Sequence, residues 1–463
     1  METVQRAIDS LGLDPQSDKY LTEFERSVEA WQIGYALLSP TLSPVHRFFG
    51  AKILYSKAQR DYIQVDAAAA SQLKTSLIHC LVALSREPHV QMNICRYVCL
   101  AISALAIQSL EAQVVNEILT ALNELVQSRP LLVLEILSVL TEECGDRMLR
   151  ITHDQREAFR AQLTASAVQV FPFLHTLVTT PHAGVNPIET QVQILKCLSS
   201  WIENTDVSCE FLLAAPVFAK ALESFTVPDL IVEASEVVIR AVHCVRSRSS
   251  IENNSNAANM MVGLSQHVLS LRQHWAAINA AHTGRQDDWQ DSQINACRAL
   301  TTVFRDTFHA FCDVYMDGRL PGVSEILEQL LLCANFRGDS SVSRIPLDSF
   351  YELGNILQSS GEYNDYSDDD ESHGPVAPST CPSQTSAYYE PFYRKLLEIC
   401  LIQIRLEDDE LQSWDALDED VDKDRREWKD TVGDCCQILG GGQCLGLIYS
   451  AVQVDQTPTT VEA

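Results

Sequence analysis

The chain has 463 residues, 46 % of them hydrophobic, and a formal net charge of −28. That length suits two or three globular domains or one long repeat array, and that apolar content excludes a wholly disordered chain. The acidity repels nucleic acid phosphates and anionic membranes and favours basic partners.

The opening METVQRAIDSLGLDPQSDKY has no basic segment followed by an apolar one, so no signal peptide is expected. No apolar run is read as reaching the ~18 residues that cross a bilayer, so a soluble, intracellular chain without membrane insertion is expected. In FERSVEAWQIGYALL, residues 24–38, Trp31, Ile33, Tyr35, Leu37 and Leu38 begin a helix. Pro44 starts the next one, with Phe48, Phe49, Ile53 and Leu54 on its apolar side. Trp31 and Phe49 read as structural; a large aromatic such as Trp31 fills the space between adjacent repeats.

Three-four spacing then dominates. Cys95, Val98, Cys99, Ile102, Leu105 and Ala106 share one helix face. The same pattern fits LKTSLIHCLVAL, LLVLEILSVL, QVQILKCLSSWI, VEASEVVIRAVHCV, SEILEQLLLCA and FYRKLLEICLIQI. No period-two alternation bounded by hairpin turns is found, which predicts an all-α protein. Breakers at 39–44, 86–89, 128–130, 179–187 and 226–229 separate helices that come in pairs. The pair-to-pair spacing of about 40–50 residues is that of HEAT or armadillo repeats, and about nine pairs are counted. One pair has too little apolar face to fold alone, so stacking into a solenoid, a right-handed superhelix of antiparallel helix pairs, is expected.

Residues 359–387 are rich in Ser, Asp, Pro and Gly and read as a disordered loop. Residues 407–430 form a mostly acidic stretch carrying Trp414 and Trp428. Its carboxylates Asp415, Asp418, Glu419, Asp420 and Asp422 are candidates for binding a basic partner, with a solvated loop as the competing reading. The tail at 453–463 reads as disordered.

Chemistry is sparse. The fifteen cysteines include no CxxC pair and read as small buried hydrophobes in a reducing compartment. There is no phosphate loop, HExxH or GxSxG motif, so no enzymatic activity, cofactor or metal is expected. GGGQCLG at 440–446 reads as a helix-ending turn.

The segment FERSVEAWQIGYALL…FFGAKILYSK resembles the amino-terminal domain of importin-β-type nuclear transport receptors. The resemblance rests on Ala30, Trp31, Leu37, Leu38, Phe49, Gly50, Ala51 and Lys57. LLVLEILSVLTEE, VFPFLHTLV, ILKCLSSWIE, ACRALTTVFRDTF and FYRKLLEICL look like the importin-13 and transportin-3 group, and FGA with VFPFL favours importin-13. Members of the family are about twice as long, so the likeness is to an amino-terminal half.

The resemblance implies a shuttling, nuclear and cytoplasmic receptor that binds the small GTPase Ran in its GTP form. It also implies import or export cargo with basic surfaces, and nuclear pore proteins as partners. Residues 1–110 would then be the Ran-binding repeats, 111–358 central repeats, and 388–452 a last repeat with an acidic insertion. The second helices of the first pairs, about 16–30, 44–60 and 90–108, are expected to meet Ran, with Lys52, Lys57 and Arg96 as candidate contacts. A HEAT scaffold that assembles proteins without Ran is the competing reading.

Overall fold

The computed structural model describes residues 1–87, 91–109, 114–121, 123, 125–146, 148–180, 186–249, 254–281, 289–314, 322–362, 382–404 and 419–454. Among these residues there are helices and no strands. The chain divides into two compact units, Met1–Glu223 and Ser224–Ala463.

The first unit contains α1 (Glu2–Asp9), α2 (Pro15–Phe24), α3 (Glu29–Leu37), α4 (Pro44–Arg60), α5 (Ala67–Ser85), α6 (Met92–Ser109) and α7 (Val114–Ala121). It continues with α8 (Leu125–Ser128), α9 (Pro130–Gly145), α10 (His153–Thr179), α11 (Pro187–Asn204), α12 (Cys209–Ala214) and α13 (Pro216–Glu223). Sequence signals set where these helices start. Ser43 accepts the His46 N–H ahead of Pro44, Asn186 accepts the Ile188 N–H ahead of Pro187, and Thr152 with Gln155 forms a reciprocal cap for α10. α10 runs through Pro172, which sits on its exposed side, where the carbonyl left without an amide donor is open to solvent.

Helices α4, α6, α9 and α11 pack in succession, and α3, α5, α8 and α10 pair with them in turn. This line of helices holds the core. Every residue from Ala101 to Ile107 on α6 is buried, because α6 is covered by α4, α5 and α9. Both α5 and α6 are long and apolar enough to cross a membrane by length and composition, against the expectation that no run reaches that length. Here α6 spends that character on its neighbours, as the core helix of a repeat must.

The second unit contains α14 (Ile231–Ser249), α15 (Asn254–Ser270), α16 (Arg272–Ala281), α17 (Asp291–Val314), α18 (Val323–Ala334), α19 (Ser340–Ser343), α20 (Leu347–Glu362), α21 (Pro382–Gln403), α22 (Glu419–Leu439) and α23 (Gly441–Val454). α17 packs between α14 and α18, α20 packs on α22, and α21 packs on α18 and α22. Of the loop expected over 359–387, residues 359–362 belong to α20 and 382–387 to α21; residues 363–381 lie outside the described residues. The turn expected at GGGQCLG is confined to Gly440, at φ 81°, and Gly441 already starts α23. All cysteines among the described residues are free, and burial pushes the Cys197, Cys297 and Cys333 thiols up to about 12.

The helix expected over 16–30 is two helices. α2 ends at Phe24 and α3 begins at Glu29, with the chain turning between them. α3 then crosses α4 closely. A Cβ at Gly50 would stand 2.6 Å from the Gly34 carbonyl oxygen and 2.7 Å from Leu37 Cβ. Only glycine at 50 allows that approach, so Gly50→Ala should force the helices apart and cost about 1–3 kcal/mol. Urea unfolding followed by circular dichroism checks this; an unchanged midpoint would mean the crossing yields without strain.

A candidate partner-binding face on the first unit

One of the three expected contact residues is buried. Lys57 is 0 % exposed. Its ammonium lies 2.9 Å from Asp61 Oδ2, donates to Gln64 Oε1, and reaches the Arg26 carbonyl at 3.4 Å. It also stands 5.7 Å from the Trp31 ring centroid. Lys57 therefore holds the turn between α2 and α3 and is not a surface contact in this structure. The expectation fails because a lysine on a helix reads as solvated unless its acceptors are known, and Arg26 lies 31 residues away. Trp31, 7 % exposed, and Phe49, 5 % exposed, are buried. Trp31 covers the buried ammonium.

Lys52 and Arg96 do reach the surface. Lys52 is half-buried on α4, with its ammonium 5.7 Å from the Phe49 ring centroid. Arg96 is exposed on α6 and pairs with Glu135 and, at 3.5 Å, with Glu142, both on α9. Half-buried aromatic rings lie on the same helices. Phe48 and Tyr55 of α4 meet Tyr97 of α6 edge-on, at centroid distances of 5.1 Å and 6.0 Å. Gln193 of α11 donates to Glu135 at 3.4 Å, which carries the network one helix further.

Tyr55 and Gln59 were not singled out by the sequence, yet they are the most connected residues here. The Tyr55 hydroxyl donates to Glu143 Oε1 at 2.6 Å. Gln59 Nε2 donates to the Tyr55 oxygen at 2.6 Å and to Asp146 Oδ2 at 2.9 Å. Glu143 is 4 % exposed, and burial pushes its carboxyl up to about 7. The four-residue spacing of Tyr55 and Gln59 was a visible signal that both lie on one side of α4. Their partners, 87 and 88 residues away, were not.

Tyrosine and arginine half-exposed over adjacent helices are the residue types that anchor protein–protein contacts. The face offers charge, hydrogen bonds and aromatic area, and no nucleophile paired with a base. One constellation in the second unit has the order of a catalytic triad. His309 Nε2 lies 3.1 Å from Ser349 Oγ, and His309 Nδ1 lies 3.2 Å from Glu352 Oε2. Ser349 is 0 % exposed, so the group cross-links α17 to α20 and presents no reachable nucleophile. No cluster able to hold a metal occurs among the described residues.

Of the acidic candidates, Asp415 and Asp418 lie outside the described residues, as does Trp414. Glu419, Asp420 and Asp422 fall at the start of α22. Trp428, on the same helix, is buried.

Stacked helix pairs with polar ties along the stack define a helical-repeat protein of the solenoid type. Residues 91–238 match the family model described as Exportin 1-like protein. Importin-13 of Rattus norvegicus is 26 % identical over 285 residues, which is 58 % of this chain and 28 % of that protein. Importin-13 of Homo sapiens is 25 % identical over the same shares. Transportin MOS14 of Arabidopsis thaliana is 22 % identical over 94 % of this chain and 43 % of its own length. The solved structure of importin-13 in its cytosolic state superposes with a TM-score of 0.64 at 16 % identity, covering 90 % of this chain and 45 % of that one. In sequence the chain is similar to importin-13 and transportin relatives, and in fold to the importin-13 solenoid. It spans less than half the length of these relatives.

The two lysines of α4 should separate cleanly in thermodynamic tests. Lys57→Ala leaves Asp61 without its ammonium and should cost about 3–5 kcal/mol. Trp31→Ala should cost a similar roughly 3–5 kcal/mol through the cavity it opens. Lys52→Glu should stay within about 0.5 kcal/mol of the parent. Chemical denaturation of the three variants checks the set; equal stabilities for the two lysine variants would contradict the burial of Lys57.

Proposed function

We propose that this chain is a nuclear transport receptor that shuttles between nucleus and cytoplasm. In this reading it binds the GTP form of Ran through the α4–α6 face and carries protein cargo past nuclear pore proteins. The observation that supports the proposal is the similarity to importin-13, joined to a first unit that presents Lys52, Arg96 and the Phe48–Tyr97–Tyr55 rings on adjacent helices. Lys52 and Arg96 supply the basic contacts and Tyr97 an amphipathic anchor. Arg96 enters a complex already oriented by Glu135 and Glu142, which lowers the entropy lost on docking.

The carboxylates Asp415, Asp418, Glu419, Asp420 and Asp422 serve in this reading to capture basic surfaces of cargo or Ran. Such capture acts on the association rate and is screened by salt over about 8–10 Å at 0.1–0.15 M.

Capture on Ran loaded with GTP or GDP tests the core of the proposal. Binding is expected to the GTP form, with Lys52→Glu and Arg96→Glu each weakening it about tenfold, or ~1.4 kcal/mol. Capture of neither form would leave a Ran-independent scaffold instead, and equal capture of both would overturn the dependence on GTP. For the acidic segment, replacing Asp418, Glu419, Asp420 and Asp422 with their amides should slow association and flatten its salt dependence. An unchanged rate and salt slope would reduce the segment to a solubilising one.

A further inference from the structure

In a stack of repeats each helix is expected to bond to its immediate neighbours. Tyr55 and Gln59 depart from this. They lie on α4 and bond to Glu143 and Asp146 at the end of α9, while α6 packs between those two helices. The Arg150 N–H adds a backbone tie by donating to the Gln59 carbonyl at 3.3 Å. Three hydrogen bonds thus join α4 directly to α9 and the chain that follows it.

Glu143 occupies the centre of this bridge. Oε1 accepts from Tyr55, and Oε2 is buried with no hydrogen-bond partner. An ionised carboxylate with one buried, unserved oxygen is disfavoured, and a neutral carboxyl is disfavoured far less. The neighbouring charges push the same way. Glu142 on α9 and Asp146, the residue that ends it, both oppose a second negative charge. From α4 the neutral Tyr55 and Gln59 approach, and their hydrogen bonding favours the ionised form, a pull that burial outweighs. From α6 come Tyr97, against the Tyr55 ring, and Arg96, which is committed to Glu135 and Glu142. From α10, Arg156 is turned to the backbone carbonyls of Cys144 and Asp146, while Arg160 pairs with Glu157 at 3.4 Å. From α11, Glu203 adds a further negative charge near Glu142. None of these cations is hydrogen-bonded to the Glu143 carboxyl.

We propose that Glu143 is a proton-operated latch: protonated, it holds α4 and α9 together across α6, and on losing its proton it must admit water to Oε2, which loosens the bridge. The direction follows from linkage. A carboxyl whose closed-state value is raised from 4.5 to about 7 contributes stability that is fully present below 4.5 and is lost as the pH rises through about 7. Between those limits opening becomes about tenfold more frequent per pH unit, and above them it levels off. The latch joins α4, which carries Lys52, to α9, which carries Glu142, across α6, which carries Arg96 and Tyr97. Its state therefore sets how rigidly that face is presented, whatever partner it takes.

Hydrogen exchange of the Arg150 amide in the full chain, corrected for the intrinsic pH dependence, reads the latch directly. Opening should rise by about 40-fold from pH 5 to pH 7 in the parent. Glu143→Gln, which keeps the acceptor for Tyr55 and cannot ionise, should abolish that rise and stay closed at pH 7. Glu143→Met, which removes both polar oxygens, should also be flat with pH. Tyr55→Phe should open the bridge at every pH tested. Glu142→Gln, a change outside the bridge, should keep the rise. A rise in Glu143→Gln or Glu143→Met as steep as the parent's would overturn the proposal, as would a parent amide whose corrected exchange does not change with pH.

Discussion

No helix pair in this chain can bury its apolar stripe alone, and that constraint shapes everything else. α6 shows it most plainly, since from Ala101 to Ile107 it has no side left for water. Covering it takes α4 on one side, α9 on the other and α5 behind. A helix in that position can carry a composition that would also suit a bilayer, because its neighbours supply the apolar surroundings. The same demand explains why many polar residues on these helices reach the open face or find partners on another segment. Arg47 with Glu87, Arg96 with Glu135, and His309 with Glu352 are solutions of that second kind.

Lys57 is the extreme case. A fully enclosed ammonium is tolerated because a carboxylate, an amide oxygen, a carbonyl and an aromatic face surround it. Its carbonyl partner belongs to the turn where the chain leaves α2 for α3. The charge thereby converts a local break in the helix into a defined junction, with Trp31 as its lid. The spacing of Trp31 and Lys57 in the importin-like motif thus has a structural cause, independent of any partner.

The open face and the buried ties are physically linked. Tyr55 packs against Tyr97 on the face and reaches Glu143 beneath it. Arg96, the most exposed cation of this group, is steered by two α9 carboxylates. A partner meeting these side chains would meet groups whose positions are already set by the helix behind them, which is how a repeat protein builds a specific surface from shallow curvature-free elements.

Much of the fold was legible in the sequence. Three-four periodicity located the helices, and Pro44, Pro130 and Pro187 marked starts that the structure keeps. The signature around Trp31 and Gly50 pointed to the importin-13 relatives to which the chain is similar. Tertiary structure decided which polar residues work inside and which work outside. The sequence offers Lys52 and Lys57 as equivalent cations on one helix. They part because 3.6 residues per turn carries a side chain five positions on to a different side, toward Arg26 and Gln64 rather than solvent. Tyr55, Gln59, Glu143 and Asp146 belong to the same category. Their chemistry depends on a meeting between segments almost ninety residues apart, and hydrophobic periodicity, which reports one helix at a time, holds no record of which helices will meet.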